Sequence, residues 1–238
     1  MVAMRSRKTL ISNIVFLLGI AAGLSLAVIS IWADYEAVRY FFTGARFDSV
    51  QGMRCPVLAS RSENVIISAT IENPGDRPVS AHYRVEISGP LGRSFREQIS
   101  IPPRQTQKAE WIVNEDDIAL HYFVMTKITL LPFSGLPTRE TMCGIFVLNL
   151  DWLTGQQALI ALVAVSLFGI VFGLVMWERQ VGTANKGSLR SQNVRRALAI
   201  VVLLGMLSGL LGWWPAGIIF CVLAILLFVI LLSMSLTM

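Results

Sequence analysis

The chain of 238 residues is 54% hydrophobic and only 15% charged, where an average soluble domain carries about 25% charged residues. That excludes an ordinary soluble fold for much of its length. The net charge of +5 lies in short basic flanks of apolar stretches, as it does beside membrane spans, so it gives no argument for nucleic-acid binding.

From the N-terminus, residues 1–9 form a short tail with Arg5, Arg7 and Lys8 and no acid. The apolar stretch Leu10–Trp32 follows, and a spanning helix needs about 20 such residues. It exceeds the about 7–15 apolar residues of a signal-peptide core and ends in no small-x-small cleavage site, so it reads as an uncleaved anchor. Residues 33–52 form a juxtamembrane collar in which the helix period continues. Trp32, Tyr35, Val38, Phe41 and Phe42 fall on one face, which suits either an interfacial anchor or a partner-binding surface.

Residues 53–151 read as an all-β domain outside the cytoplasm. Val65, Ile67, Ala69 and Ile71 alternate with less apolar positions, and Tyr83, Val85 and Ile87 alternate with Arg84, Glu86 and Ser88, the period of half-buried strands. Turns are marked by Asn73-Pro74-Gly75-Asp76 and Gly89-Pro90-Leu91-Gly92. Further strands are expected near Cys55 and around Phe95–Ile101, Lys108–Val113, His121–Leu130 and Thr141–Leu148, giving about seven, the count of a sandwich. The stretch Glu63–Ile87, with its turn Glu72-Asn73-Pro74-Gly75-Asp76, resembles the early hairpin of bacterial extracytoplasmic immunoglobulin-like domains. The resemblance implies an immunoglobulin-like β-sandwich that binds or spaces other molecules, and it names no function, since this fold hosts many.

Both ends of this domain lead into apolar stretches, so its first and last strands finish near each other. Cys55 precedes the first clear strand and Cys143 lies in the last, and outside the cytoplasm such a pair oxidises to a disulfide. A loop of this length gains about 4–5 kcal/mol in the chain-entropy model. Cys221 lies mid-span and reads as packing. His82 and His121 lack further ligands of zinc spacing, and Glu115-Asp116-Asp117 lacks a full calcium loop. No Gly-x-Ser-x-Gly, phosphate loop, dinucleotide fingerprint or His-Glu-x-x-His run occurs. The sequence therefore nominates no catalytic, cofactor-binding or metal-binding residue, and the chain is expected not to be an enzyme.

Three more spans are expected within 152–177, 197–213 and 216–236, separated in part by a basic loop, 178–196. Gly19/Gly23, Gly169/Gly173 and Gly205/Gly209 each stand four residues apart within an apolar stretch. Such pairs let helix backbones approach closely, either inside the chain's own bundle or against another subunit. No charged residue falls inside the four stretches as drawn, so a substrate or ion path lacks the ionisable groups it needs. The tail carries three basic residues, the 178–196 loop five against one acid, and Ala33–Asp151 twelve against fourteen. By the positive-inside bias, both termini and the loop are cytoplasmic, the β domain is outside, and the protein is a multi-pass plasma-membrane protein. Trp32, Trp152, Trp177, Trp213 and Trp214 mark span ends, the depth this side chain prefers.

The leading expectation is an accessory, assembly or stabilising subunit of a larger membrane complex, in contact with the lipid bilayer and with another membrane subunit or a second copy. A ligand-sensing receptor is the first alternative and a small transporter or channel module the second.

Overall fold

The computed structural model describes residues 2–42, 50, 52–132, 136–181 and 186–236, with side chains at 2–9, 180–191 and 234–236 set aside. The collar positions 43–49 and 51 and the loop positions 182–185 lie outside the described residues. The chain divides into two compact units, Trp32–Ala158 and the remainder, 1–31 with 159–238.

The first unit is a β-sandwich. Strands β1 (Leu58–Ser60), β2 (Val65–Glu72), β3 (Val79–Ile87), β4 (Arg93–Ile101), β5 (Thr106–Val113), β6 (Phe123–Leu130) and β7 (Arg139–Leu148) form two sheets. One sheet has the order β1-β7-β6-β3-β4 and the other is the pair β2-β5. The larger sheet is mixed, because β1 runs parallel to β7 while its other pairs are antiparallel. The alternation read from the sequence places Ala81, Tyr83, Val85 and Ile87 of β3 inside. Across the second sheet Ile67 faces Trp111 and Val65 faces Val113 in register, and all four are buried. The Trp111 indole donates to Thr126 Oγ1 at 3.2 Å, satisfying the ring's one polar atom between the sheets.

Strand β6 is buried on both faces, which alternation with a solvated side cannot explain. Helix α1 (Val2–Tyr40) supplies the cover, continuing well past Trp32. Ala33 and Ala37 join Phe123 and Met125 in a small core, with Phe41 and Phe146 packed against it. Two alanines make this face because the helix must come close. A Cβ at Gly144 of β7 would run into the Ala33 carbonyl, and the Gly144 N–H donates to Asp34 at 3.3 Å. At the other chain end, Glu63 accepts from the Gly155 N–H at 2.8 Å and from the Ser60 N–H at 3.0 Å. That carboxylate sits at the N-terminus of α2 (Gly155–Val181), where negative charge is favoured.

The second unit holds the apolar part of α1, most of α2, then α3 (Lys186–Leu210) and α4 (Trp214–Leu236). Four helices are long and apolar enough to cross a membrane. Helices α2 and α3 occupy most of the segment read as the loop 178–196, since Leu, Arg and Gln favour helix. Arg195 and Arg196 therefore lie within the third apolar helix, Gln192–Leu210, which begins before the charge-free stretch 197–213 drawn from the sequence. Between α3 and α4 the Trp213 N–H donates to Ser208 O at 2.8 Å and the Gly212 N–H to Gly209 O at 3.1 Å. This is a Schellman close with Gly212 at φ +71°, and Pro215 follows in the first turn of α4, where its missing N–H costs nothing.

The Tyr83 hydroxyl donates to Glu97 Oε2 at 2.5 Å across β3 and β4. Burial first, and then the Glu97 bond and charge, push this phenol well above its ordinary value. The native state thus holds the proton more tightly than the unfolded chain. Its contribution is complete below the ordinary tyrosine pKa of about 10 and is lost as pH rises from there through the folded-state value. Tyr83→Phe is expected to flatten that alkaline limb in thermal unfolding; an unchanged limb would assign it to other groups. Gly144→Val is expected to lower stability by about 1–3 kcal/mol through overpacking and to raise amide exchange across Trp32–Tyr40. Unchanged exchange there would show that the helix extension does not depend on this contact.

Candidate functional site

The sandwich carries an open cleft of about 680 Å³, with Tyr40, Arg61, Glu115, His121, Tyr122 and Asn149 among its lining residues. Volumes of about 300–1,000 Å³ are those of ligand pockets. Each wall is set by a local device. Glu115 opens a short 3-10 turn whose cap, Asn114, accepts from the Asp116 N–H at 3.1 Å, while Asp117 accepts from the Asn114 N–H at 3.0 Å. Buried Asp117 is held in turn by Arg93 at 2.7 Å. His121 and Tyr122 sit in a tight turn closed by Ala119 and Phe123, whose N–H groups donate to each other's carbonyls at 2.7 and 3.0 Å. Leu120 and His121 take φ values of 52° and 68°, a left-handed conformation that costs non-glycine residues about 1–3 kcal/mol each. Tyr122 stacks on Phe146 with ring centroids 6.2 Å apart.

Around this cleft apolar side chains stand in the open. Leu91, beside cleft-lining Pro90, is fully exposed, Leu120 is 60% exposed and Tyr122 54%. Arg61 and Glu115 form no ion pair among the described residues. The cleft thus offers one cation, one anion, an imidazole and two phenols to a polar ligand or to a partner's side chains. His121 and Glu115 read from the sequence as weak metal candidates only, and no group of three His, Cys, Asp or Glu could hold a metal among the described residues. Arg61, Leu120 and Tyr122 carried no sequence signal, because the turn that displays Leu120 and Tyr122 lacks the glycine that usually announces such a conformation.

The four collar residues do not share one outward face. Phe41 turns into the core with Ala33 and Ala37, and Lys127 Nζ lies 5.7 Å from its ring centroid. Val38 is half-buried, while Tyr35 and Phe42 are exposed. Lys127 is itself buried between Glu86 at 3.2 Å and Glu140 at 3.7 Å. Cys55 and Cys143 are joined by a disulfide with Cα atoms 6.6 Å apart, and Cys221 is free.

In the helical unit each glycine pair has neighbours from the same chain. A Cβ at Gly19 would stand 2.5 Å from the Ile170 nitrogen, and one at Gly169 2.7 Å from Gly19 Cα. Gly173 faces Phe16 and its carbonyl accepts from Ser12 Oγ at 2.8 Å. Gly23 faces Ser166 and Val202, Gly209 faces Ser30, and Gly205 faces Phe220.

No family model and no curated protein matches the chain. Solved structures resemble part of it. The CARDB domain of a Pyrococcus furiosus protein, in complex with di-metal ions, is 11% identical over 44% of this chain and all of its own, with a TM-score of 0.34. Red sea bream transglutaminase is 15% identical over 48% of this chain and 18% of its own, TM-score 0.34. A Pseudomonas fluorescens alkylpurine DNA glycosylase bound to DNA is 14% identical over 51% and 36%, TM-score 0.31. These likenesses identify no specific relative. The expectation that the chain is not an enzyme is corrected by these findings. The structures resembling it include glycosidases, a transglutaminase and a DNA glycosylase. At such identities and coverage they establish no activity for it.

The disulfide closes a loop of 88 residues. Replacing both cysteines by serine is expected to cost about 4–5 kcal/mol in the chain-entropy model, read as a lower urea midpoint for the sandwich. An unshifted midpoint would show that the cross-link constrains nothing.

Proposed function

We propose that this protein spans the membrane four times, with both termini and residues 178–196 in the cytoplasm and residues 33–151 outside. In this reading it is an accessory, assembly or stabilising subunit of a larger membrane complex. The orientation is supported by the Lys and Arg placement and by a disulfide in the β unit, which favours an oxidising compartment. The subunit role is carried by one observation, the rim of exposed Leu91, Leu120 and Tyr122 beside the cleft. Apolar groups clustered in the open mark contact surfaces, and strain held at the same turn supports use of that surface. The glycine pairs already face partners within the chain. Docking inside the bilayer therefore falls to outward residues such as Phe168, Phe172, Ile219 and Ile225, all exposed. The partner is another membrane subunit or a second copy. The unpaired Arg61 and Glu115 in a cleft of about 680 Å³ favour a ligand-sensing receptor as the second reading.

Purification in mild detergent is expected to yield a stoichiometric partner. Leu120→Ser with Tyr122→Ser should keep the fold and weaken that association about tenfold or more, as loss of interface anchors does. A monomer that binds a ligand saturably would replace the subunit reading with the receptor. A thiol introduced at Ser188 and labelled from outside intact cells would reverse the orientation.

A further inference from the structure

Arg195 is half-buried near the start of the third apolar helix. It stands in α3 within the apolar window Gln192–Leu210. Its Cζ lies 4.8 Å from the Trp177 ring centroid of α2 and 5.7 Å from the Phe16 ring centroid of α1. Its Nη1 donates to Asn13 Oδ1 at 2.9 Å. Three helices thus converge on this side chain, and every group they offer it is neutral.

The charge has no counterpart. Arg195 makes no ion pair among the described residues, and its buried Nε has no hydrogen-bond partner. Glu178, the one acid of the 178–196 segment, is already engaged. It accepts from Arg196 Nε at 3.0 Å, from Arg196 Nη2 at 2.6 Å and from Gln192 Nε2 at 3.0 Å. Aromatic faces attract a guanidinium but do not neutralise it, and an uncompensated charge among apolar helices is costly. Arginine has five N–H donors, of which one goes to Asn13.

The depth of the group selects what completes it. Trp177 stands near the end of the apolar stretch of α2, and tryptophan settles at the level of the lipid headgroups. A guanidinium stacked on that ring lies at the level of the phosphates, whose oxygens match its planar fork. The surrounding segment is basic, five to one, which favours a lipid of net negative charge.

We propose that Arg195, stacked on Trp177 and bonded to Asn13, is the protein half of a phospholipid site that receives the headgroup phosphate of an anionic lipid. The site rests on the membrane-spanning reading above. It is tested separately from partner copurification and thiol labelling, so either reading can fail alone.

The test is native mass spectrometry of the full-length protein in detergent, titrated with phosphatidylglycerol and, in parallel, phosphatidylcholine. Wild type is expected to bind phosphatidylglycerol more tightly than phosphatidylcholine. Arg195→Gln should weaken phosphatidylglycerol about fivefold, the effect of one basic side chain near a charged leaflet. Arg196→Gln, which removes a guanidinium already paired with Glu178, should leave it unchanged. Arg195→Lys keeps the charge without the planar fork, so it should weaken binding even if the glutamine variant does not fold. Wild-type affinity in Arg195→Lys or in a folded Arg195→Gln would overturn the site. Full displacement of phosphatidylglycerol by inorganic phosphate alone would overturn the lipid as its source.

Discussion

The architecture depends on how closely backbone can approach backbone. In the helical unit, Gly19 and Gly169 let α1 and α2 touch with no side chain between them. Where lipid surrounds helices there is little hydrophobic gain in bringing them together, so close van der Waals contact carries the association. In the sandwich unit the same device recurs in another setting. Gly144 admits the Ala33 carbonyl of α1, and Gly155 admits the Leu58 carbonyl of β1. A methyl group at any of these positions would require one element to move. One long helix therefore serves both units, by an identical steric allowance at two kinds of partner.

Much of this was legible in the sequence, for identifiable reasons. Period-two alternation at Tyr83, Val85 and Ile87 marks β3, and the turn at Asn73–Asp76 separates β2 from β3. These are local signals set by the pleat, and they do not depend on what the strand packs against. The reading weakened where packing decided. Phe41 and Phe42 look alike in sequence, yet one turns inward and the other is 77% exposed, because Ala33 and Ala37 rather than the aromatics make the contact face. Arg195 read as a flank because hydropathy marks where apolarity begins and says nothing of where a helix begins. The strained turn at Leu120 and His121 was invisible, since leucine seldom adopts that conformation and no glycine marks the turn.

The two units hold polar groups in different ways. In the sandwich, buried charge is matched: Lys127 lies between Glu86 and Glu140, and Asp117 meets Arg93. Unpaired charge remains at the cleft, where solvent can hydrate it at little cost. In the helical unit the balance is incomplete at Arg195, whose buried Nε has no hydrogen-bond partner. The same kind of vacancy therefore carries different weight in the two places, and each unit presents its own surface for recognition.

The bond between Cys55 and Cys143 makes a covalent ring of the segment between them, and that ring contains the exposed turn residues Pro74–Asp76 and Pro90–Gly92. A protease that nicks either turn opens the ring once without dividing the molecule. The nicked protein would still migrate as one species until a reductant is added, and only then separate into two fragments.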